Sequence, residues 1–286
     1  MPNLTQPSTS QKSDIHGMAP RRTRGRHINR ENRDPTRVSA RMLLPDLSGG
    51  AASGPAHERD TMRVRVYRAL ARGLMGGMFK PGEAVTLRTL AHRLGTSAMP
   101  VREAVSRLIA ERALVLLPNR SVIVPRMSRA RFIELSETRQ MLEGMLAEAA
   151  CARATPALLR QLSEINEAMK RCVSDDDFHG ALSHNMAFHF SLYRAAGKHV
   201  VLPLIEMLWL QAGPFLALSL TTPGARWTAR HHQSVLAALR ASLGPSARRA
   251  IEADIEDTSV QLLKRAIFED TVDTVSSDNL MLVSPQ

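Results

Sequence analysis

Apolar residues recur at helical spacing along most of this chain from about residue 62 onward, with one interruption where they crowd together. Met62, Val66, Leu70 and Leu74 mark one face of a helix that ends before Gly76-Gly77, and Pro81-Gly82 forces a turn after it. Leu87, Leu90, Ala91 and Leu94 form the stripe of a second helix. Gly95 supplies a tight turn, Ser97 stands ready to cap, and Val101, Ala104, Val105 and Leu108 form the stripe of a third. Two short helices around a glycine turn make a helix-turn-helix, expected over about 87–106, whose second helix leaves Met99, Arg102 and Ser106 facing outward to read DNA. The interruption comes next. Leu114–Val124 is rich in β-branched residues around a Pro118-Asn119-Arg120-Ser121 turn and stops at Pro125, which predicts two short strands, the wing of a winged helix.

Beyond Met127 the pattern is helical throughout. Ser128 caps a helix containing Phe132, Leu135, Met141, Leu142, Met145 and Leu146. Thr155-Pro156 opens another with Leu158, Leu159, Leu162, Ile165 and Met169. Four more follow over 175–196, 201–220 (with Pro214 expected to kink it), 227–243 and 246–268. The fold class is therefore mainly α. An N-terminal winged helix-turn-helix domain at 60–127 precedes a C-terminal all-α helical bundle at 128–268. Residues 1–59, rich in Ser, Pro, Gly and Arg, read as a disordered basic extension, and 269–286 as a flexible tail.

Charge sharpens this picture because it is local. Residues 61–127 hold twelve Lys or Arg against three acidic residues, whereas residues 128–286 hold sixteen against eighteen, so most of the formal +11 lies outside the bundle. A basic compact domain that also carries a helix-turn-helix is the footprint of a polyanion partner, double-stranded operator DNA. Single-stranded RNA is disfavoured, because only 4% of the residues are aromatic and Tyr67 and Phe79 are the basic domain's share. The chain is expected to be cytoplasmic: it shows no run of about eighteen apolar residues and no apolar signal-peptide core. Cys151 and Cys172 lack CxxC spacing and suggest neither a zinc knuckle nor a disulfide framework.

The quoted residues also carry a resemblance. Phe79-Lys-Pro81-Gly82-Glu, Leu90-Ala-x-x-Leu-Gly95-x-Ser97 and Pro100-Val-Arg102-Glu-Ala104-Val-x-Arg107-Leu108, followed by a wing, resemble the DNA-binding domain of the GntR family of bacterial transcription regulators. That resemblance implies DNA contacts from Arg88 and Arg102 and a phosphate contact from Ser97. The residues themselves add Met99, on the outward face of the reading helix, and Asn119 and Arg120 at the wing tip, within reach of an adjacent minor groove. Ala98 stands where many members have a base-reading arginine, and Ser121 where the wing often has glycine. Arg139-x-x-Leu-Glu143, Phe188-His189-x-x-Leu192-Tyr193-x-Ala-Ala-Gly197 and His232-x-x-Val-Leu-x-Ala-Leu239 are similar to the FCD-type effector-binding domain of the FadR subgroup. From the family comes the expectation of a homodimer on a palindromic operator, controlled by a small-molecule effector.

Asn185 and His189 are four apart and share one helix face; His232 and Asp254 lie on later helices. The resemblance puts these four on the positions where metal-binding members have one aspartate and three histidines. Two imidazoles, a carboxylate and an amide oxygen suit zinc, manganese or nickel, with room for water or an effector carboxylate. The alternative is a set of buried polar residues around a metal-free effector pocket. Arg139 corresponds to a cavity-facing arginine able to grip a carboxylate, against a surface salt bridge to Glu137 or Glu143. Asp175 and His179 repeat the spacing, but the acidic residue is explained by the positive end of a helix. A competing class, a metal-dependent enzyme anchored by the basic domain, lacks an HExxH or similar helix to place a general base. No catalytic residue is assigned.

Overall fold

A computed structural model of the chain describes residues 62–119, 121–221, 229–265 and 268. The expectations for 1–59, for the tail at 269–286 and for Arg120 lie outside the described residues. The described elements are α1 (Met62–Met75), β1 (Ala84–Thr86), α2 (Leu87–Arg93), α3 (Ala98–Ala110), β2 (Val115–Leu116), β3 (Ser121–Ile123), α4 (Arg129–Cys151), α5 (Pro156–Ser174), α6 (Phe178–Ala195), α7 (Val201–Thr221), α8 (Arg230–Arg240) and α9 (Gly244–Arg265).

Val66, Leu70 and Leu74 of α1, Leu90 of α2, and Val101, Val105 and Leu108 of α3 bury themselves against one another in the first of two hydrophobic cores. Gly95 takes φ +60° between α2 and α3, a left-handed conformation that costs a residue with a Cβ. Thr86 caps α2 by accepting from the Thr89 N–H. Ser97 occupies the cap position of α3 with extended backbone, but its hydroxyl makes no cap hydrogen bond. The expectation of capping is met in position and not in bonding. The wing is a three-stranded antiparallel sheet in the order β1-β3-β2, with Val85 opposite Val122 and Leu116 opposite Val122. β1 is absent from the sequence reading: it is three residues long, too short for its alternation to register.

The second core is built by α4–α9. Ser128 and Thr155 cap α4 and α5 through their hydroxyls, as expected. Asp177 caps α6, while Asp175 closes α5. The acidic residue at 175 thus belongs to the end of one helix and not to the start of the next. On α4 the buried face runs through Phe132, Leu135, Arg139, Glu143, Leu146 and Ala150. Met141, expected in the core stripe, is 64% exposed. The stripe is shifted because Arg139 and Glu143 satisfy each other's charges inside the bundle.

α7 is the most apolar helix, and here one expectation needs correcting. Its residues 201–219 are long and apolar enough to cross a membrane by length and composition, although half of that stretch is buried inside the protein, as in a core helix. One part of α7 belongs to the other core. Leu210 is buried among the side chains of α1–α3. Gly213 lies so close to α1 that a Cβ there would overlap the Leu74 carbonyl oxygen and the Met75 backbone. Gly77, at φ +67°, would likewise meet Ala217. Backbone cannot step aside as a flexible side chain can, so Gly213→Ala is expected to destabilise the protein by about 1–3 kcal/mol. A lowered thermal midpoint would show it, and an unchanged one would mean the α1–α7 approach is not tight in solution.

Candidate DNA interface and metal centre

On the α2–α3 surface the side chains of Arg88, Ser97, Met99 and Arg102 are exposed, as is Asn119 in the wing turn. Neither Arg88 nor Arg102 has an ion-pair or hydrogen-bond partner among the described residues, so both guanidinium groups are available to an anion. Arg107 differs. Its guanidinium lies 3.7 Å from the Tyr67 ring centroid and its Nε donates to Glu111 at 2.9 Å, a scaffold contact on the back of the reading helix. Asn119 also has local work, because its side-chain oxygen accepts from the Ser121 N–H and shapes the wing turn.

In the bundle, α6, α8 and α9 bring His189, His232 and Asp254 together, with the three ligand atoms within 4.8 Å of one another. His189 Nε2 lies 3.3 Å from Asp254 Oδ2 and 3.4 Å from His232 Nε2. A tetrahedral ion with bonds of about 2.0–2.1 Å spaces its donors roughly 3.3–3.4 Å apart, so this set fits zinc or a similar divalent cation. Asn185 lines the adjoining cavity with Arg139, Ser219 and Thr258 and has no hydrogen bond among the described residues. That cavity measures about 30 Å³, room for a water or two, so any larger ligand has to part its walls. Among the described residues this is the one cluster of three or more His, Cys, Asp or Glu placed to hold an ion.

Each histidine is held from behind. The Asn166 side-chain oxygen is 3.1 Å from His232 Nδ1, and the His232 ring stacks on Phe188 at 3.9 Å. Tyr193 donates its O–H to Glu143 Oε2 at 2.6 Å, and its oxygen is 2.8 Å from His189 Nδ1. Arg139 Nε donates to Glu143 Oε1 at 2.7 Å, and its guanidinium lies 4.8 Å from the Trp209 ring. The salt bridge to Glu143 weighed from the sequence is therefore present, but buried and beside the cavity. Sequence reading missed Asn166, Glu143 and Tyr193 as parts of the site. Their one legible signal is that polar residues fall on the core faces of α4, α5 and α6. His231, next to His232 in sequence, instead lies with its Nε2 2.7 Å from Asp257 Oδ2 and stays outside the cluster.

Burial pushes His232 down to about 3. Burial alone would raise the Asp254 carboxyl, but the hydrogen bond to His189 and the neighbouring histidines outweigh it and hold the group at about 2. Both shifts are depressions, so the stability they carry is present at neutral pH. For His232 it is lost as pH falls from about 6.5 towards 3, because the unfolded chain takes up the proton first. The metal-free protein should therefore melt at progressively lower temperature below pH 6.5. A His232→Gln variant should show a shallower decline over the same range, and identical declines would contradict a buried neutral imidazole.

Comparison with known proteins follows the same division of the chain. Residues 62–124 match the gntR family of bacterial regulatory proteins, and residues 134–257 match the FCD domain. The chain joins a GntR-family DNA-binding domain to an FCD domain. It is 28% identical over 206 residues to the HTH-type transcriptional regulator McbR of Escherichia coli, covering 71% of this chain and 93% of that protein. The Bacillus subtilis gluconate operon transcriptional repressor is 26% identical over 153 residues, 54% of this chain and 61% of that one. The solved structure of E. coli McbR/YncC superposes with a TM-score of 0.65, covering 71% of this chain and 96% of that chain. This GntR-family protein is accordingly a DNA-binding transcription regulator with a ligand-binding FCD domain, in line with the sequence reading of fold and function. The relatives are named as regulators and repressors, which leaves the anchored metalloenzyme without support. Some FCD domains bind metal, and the His189–His232–Asp254 cluster is where this one has the donors.

Proposed function

We propose that this regulator is a cytoplasmic homodimer of the FadR subgroup that binds a palindromic operator and releases or grips it in response to a carboxylate effector bound beside a divalent metal. Arg88, Ser97, Met99, Arg102, Asn119 and Arg120 contact the DNA. Asn185, His189, His232 and Asp254 hold zinc, manganese or nickel, and Arg139 receives the effector. The observation that carries the reading is the convergence of two buried histidines and a half-buried aspartate on one point, with a buried arginine on the wall of the same cavity.

Charge supports an acidic effector. Asp254 and Glu143 set two negative charges against the one positive charge of Arg139, and His232 is neutral. A divalent cation reverses that balance and turns the cavity into an anion site. With Nε committed to Glu143, the remaining guanidinium nitrogens have no partner among the described residues and suit a carboxylate's paired oxygens. Apolar side chains left outside on the packed pair α4 and α7, namely Met141, Val200 just before α7, Leu204 and Met207, favour association with a second copy.

Titration of the zinc-loaded protein with a panel of small mono- and dicarboxylic acids and neutral sugars tests the effector class. An acid is expected to raise the thermal midpoint, with at least tenfold weaker binding in Arg139→Lys, which keeps the charge and loses the fork. Equal response to neutral sugars would sink the carboxylate assignment.

A further inference from the structure

A histidine ligates a metal through a ring nitrogen that carries no proton, so whichever nitrogen faces the metal must be the bare one. In this protein the nitrogens facing the shared point are both Nε2, at 3.4 Å from each other, and both Nδ1 atoms face inward-held polar groups. Without a metal, His189 Nε2 also has the Asp254 carboxylate at 3.3 Å, an acceptor that competes with Tyr193 for the ring proton and that a bound cation would take over. The group behind His232 is the Asn166 carbonyl oxygen, an acceptor with no proton to give. The group behind His189 is the Tyr193 oxygen. Its own proton is committed to Glu143 Oε2 at 2.6 Å, so towards His189 that oxygen acts as an acceptor. The direction of the Tyr193 bond is fixed in turn by Glu143, whose second oxygen is held by Arg139 Nε. All of these side chains are buried.

We infer that Tyr193, oriented by Glu143, and Asn166 are positioning residues that keep His189 and His232 in the Nδ1–H tautomer and so present both Nε2 lone pairs to the metal. This rests on the metal reading above and deepens it. Glu143 touches no candidate ligand directly, yet it decides which way the tyrosine proton points. It also ties Arg139, the proposed effector contact, to the ring orientation of His189 through a chain of three hydrogen bonds by way of Glu143 and Tyr193. A tyrosine whose O–H instead donated to His189 would require a bare Nδ1 and put a proton on Nε2, where the metal belongs. Neutral acceptors behind metal-bound histidines tune affinity typically by 10- to 100-fold.

The test uses the full chain stripped of metal by chelator and labelled with 15N in histidine. Two-bond 1H–15N correlation spectra report the tautomer of each ring without any metal, and zinc titration against a competing chelator reports affinity. Wild-type His232 is expected as the Nδ1–H tautomer, and His189 with a larger Nδ1–H share than in either variant below, because Asp254 competes for a proton on its Nε2. Tyr193→Phe keeps the ring and removes the acceptor. It should bring a population of the Nε2–H tautomer at His189 and weaken zinc binding by about 10- to 100-fold. Glu143→Gln keeps an acceptor for the phenol and folds with a smaller perturbation; it should give a shift of the same sign and smaller size. A purely structural role would lower the thermal midpoint and leave tautomer and zinc affinity alone. Either an unchanged tautomer in both variants or a changed tautomer with wild-type zinc affinity overturns the inference. Absence of zinc uptake by the wild type overturns the metal reading itself, a failure visible before any variant is made.

Discussion

Replacing His189 and His232 together by alanine should abolish the binding of divalent metal. The two imidazoles supply two of the three donors that lie within 4.8 Å of one another, and the remaining Asp254 with the neutral amide of Asn185 is too weak a set to retain an ion. The expected loss exceeds that of any single change around the site, since the positioning groups only tune what the ligands supply. Elemental analysis of purified protein, after reloading with zinc and desalting, reads the result directly. Metal content near one ion per chain in the wild type and near zero in the double variant is the expected outcome. Equal content in both would place the metal elsewhere and return this cluster to a hydrogen-bonded pocket. Circular dichroism on both proteins separates ligand loss from unfolding, because removal of two buried rings also opens space in the core.

Arg102→Ala should weaken operator binding by about 1–3 kcal/mol, a factor of roughly 5 to 150, if the guanidinium meets a base edge. Its position is favourable. It is exposed one turn into α3, has no partner among the described residues, and so gives up no ion pair on engaging DNA. The loss should be largest on the operator and small on random duplex, which distinguishes base reading from attraction to phosphate. Arg107→Ala is the internal comparison, because that arginine is spent on Tyr67 and Glu111. Competition binding at fixed salt measures both ratios. If Arg102→Ala lowered affinity equally for all duplexes, the residue would be a phosphate contact and sequence reading would fall to others.

Most of the fold was legible because its elements advertise themselves locally. The caps at Ser128 and Thr155, the glycine turn at Gly95 and the apolar stripes of α1–α3 each state a boundary or a face in a few residues. The wing's outer strand β1 escaped because three residues carry too little alternation, and it pairs with a strand more than thirty residues later. The metal cluster was legible only through resemblance. Asn185 and His189 share a helix face by spacing alone, whereas the approach of His232 and Asp254 depends on how three helices pack. The supporting groups were hidden for a related reason. Arg139, Glu143, Asn166 and Tyr193 sit on buried faces where a hydrophobicity pattern expects apolar residues, and their mutual satisfaction is a property of the assembled core.

α7 gives Leu210 to the core of the DNA-binding half, while Trp209, its neighbour in sequence, covers Arg139 and His189. The chain therefore has a seam in sequence near residue 127 that is not a seam in space. Anyone building a chimeric biosensor from this regulator by cutting there would hand the new partner a three-helix domain with an empty socket where Leu210 sat and a bare groove where Gly213 met α1. The exchangeable part is the winged domain together with the middle of α7, and a graft that respects this must either carry that stretch of helix along or rebuild it on the recipient.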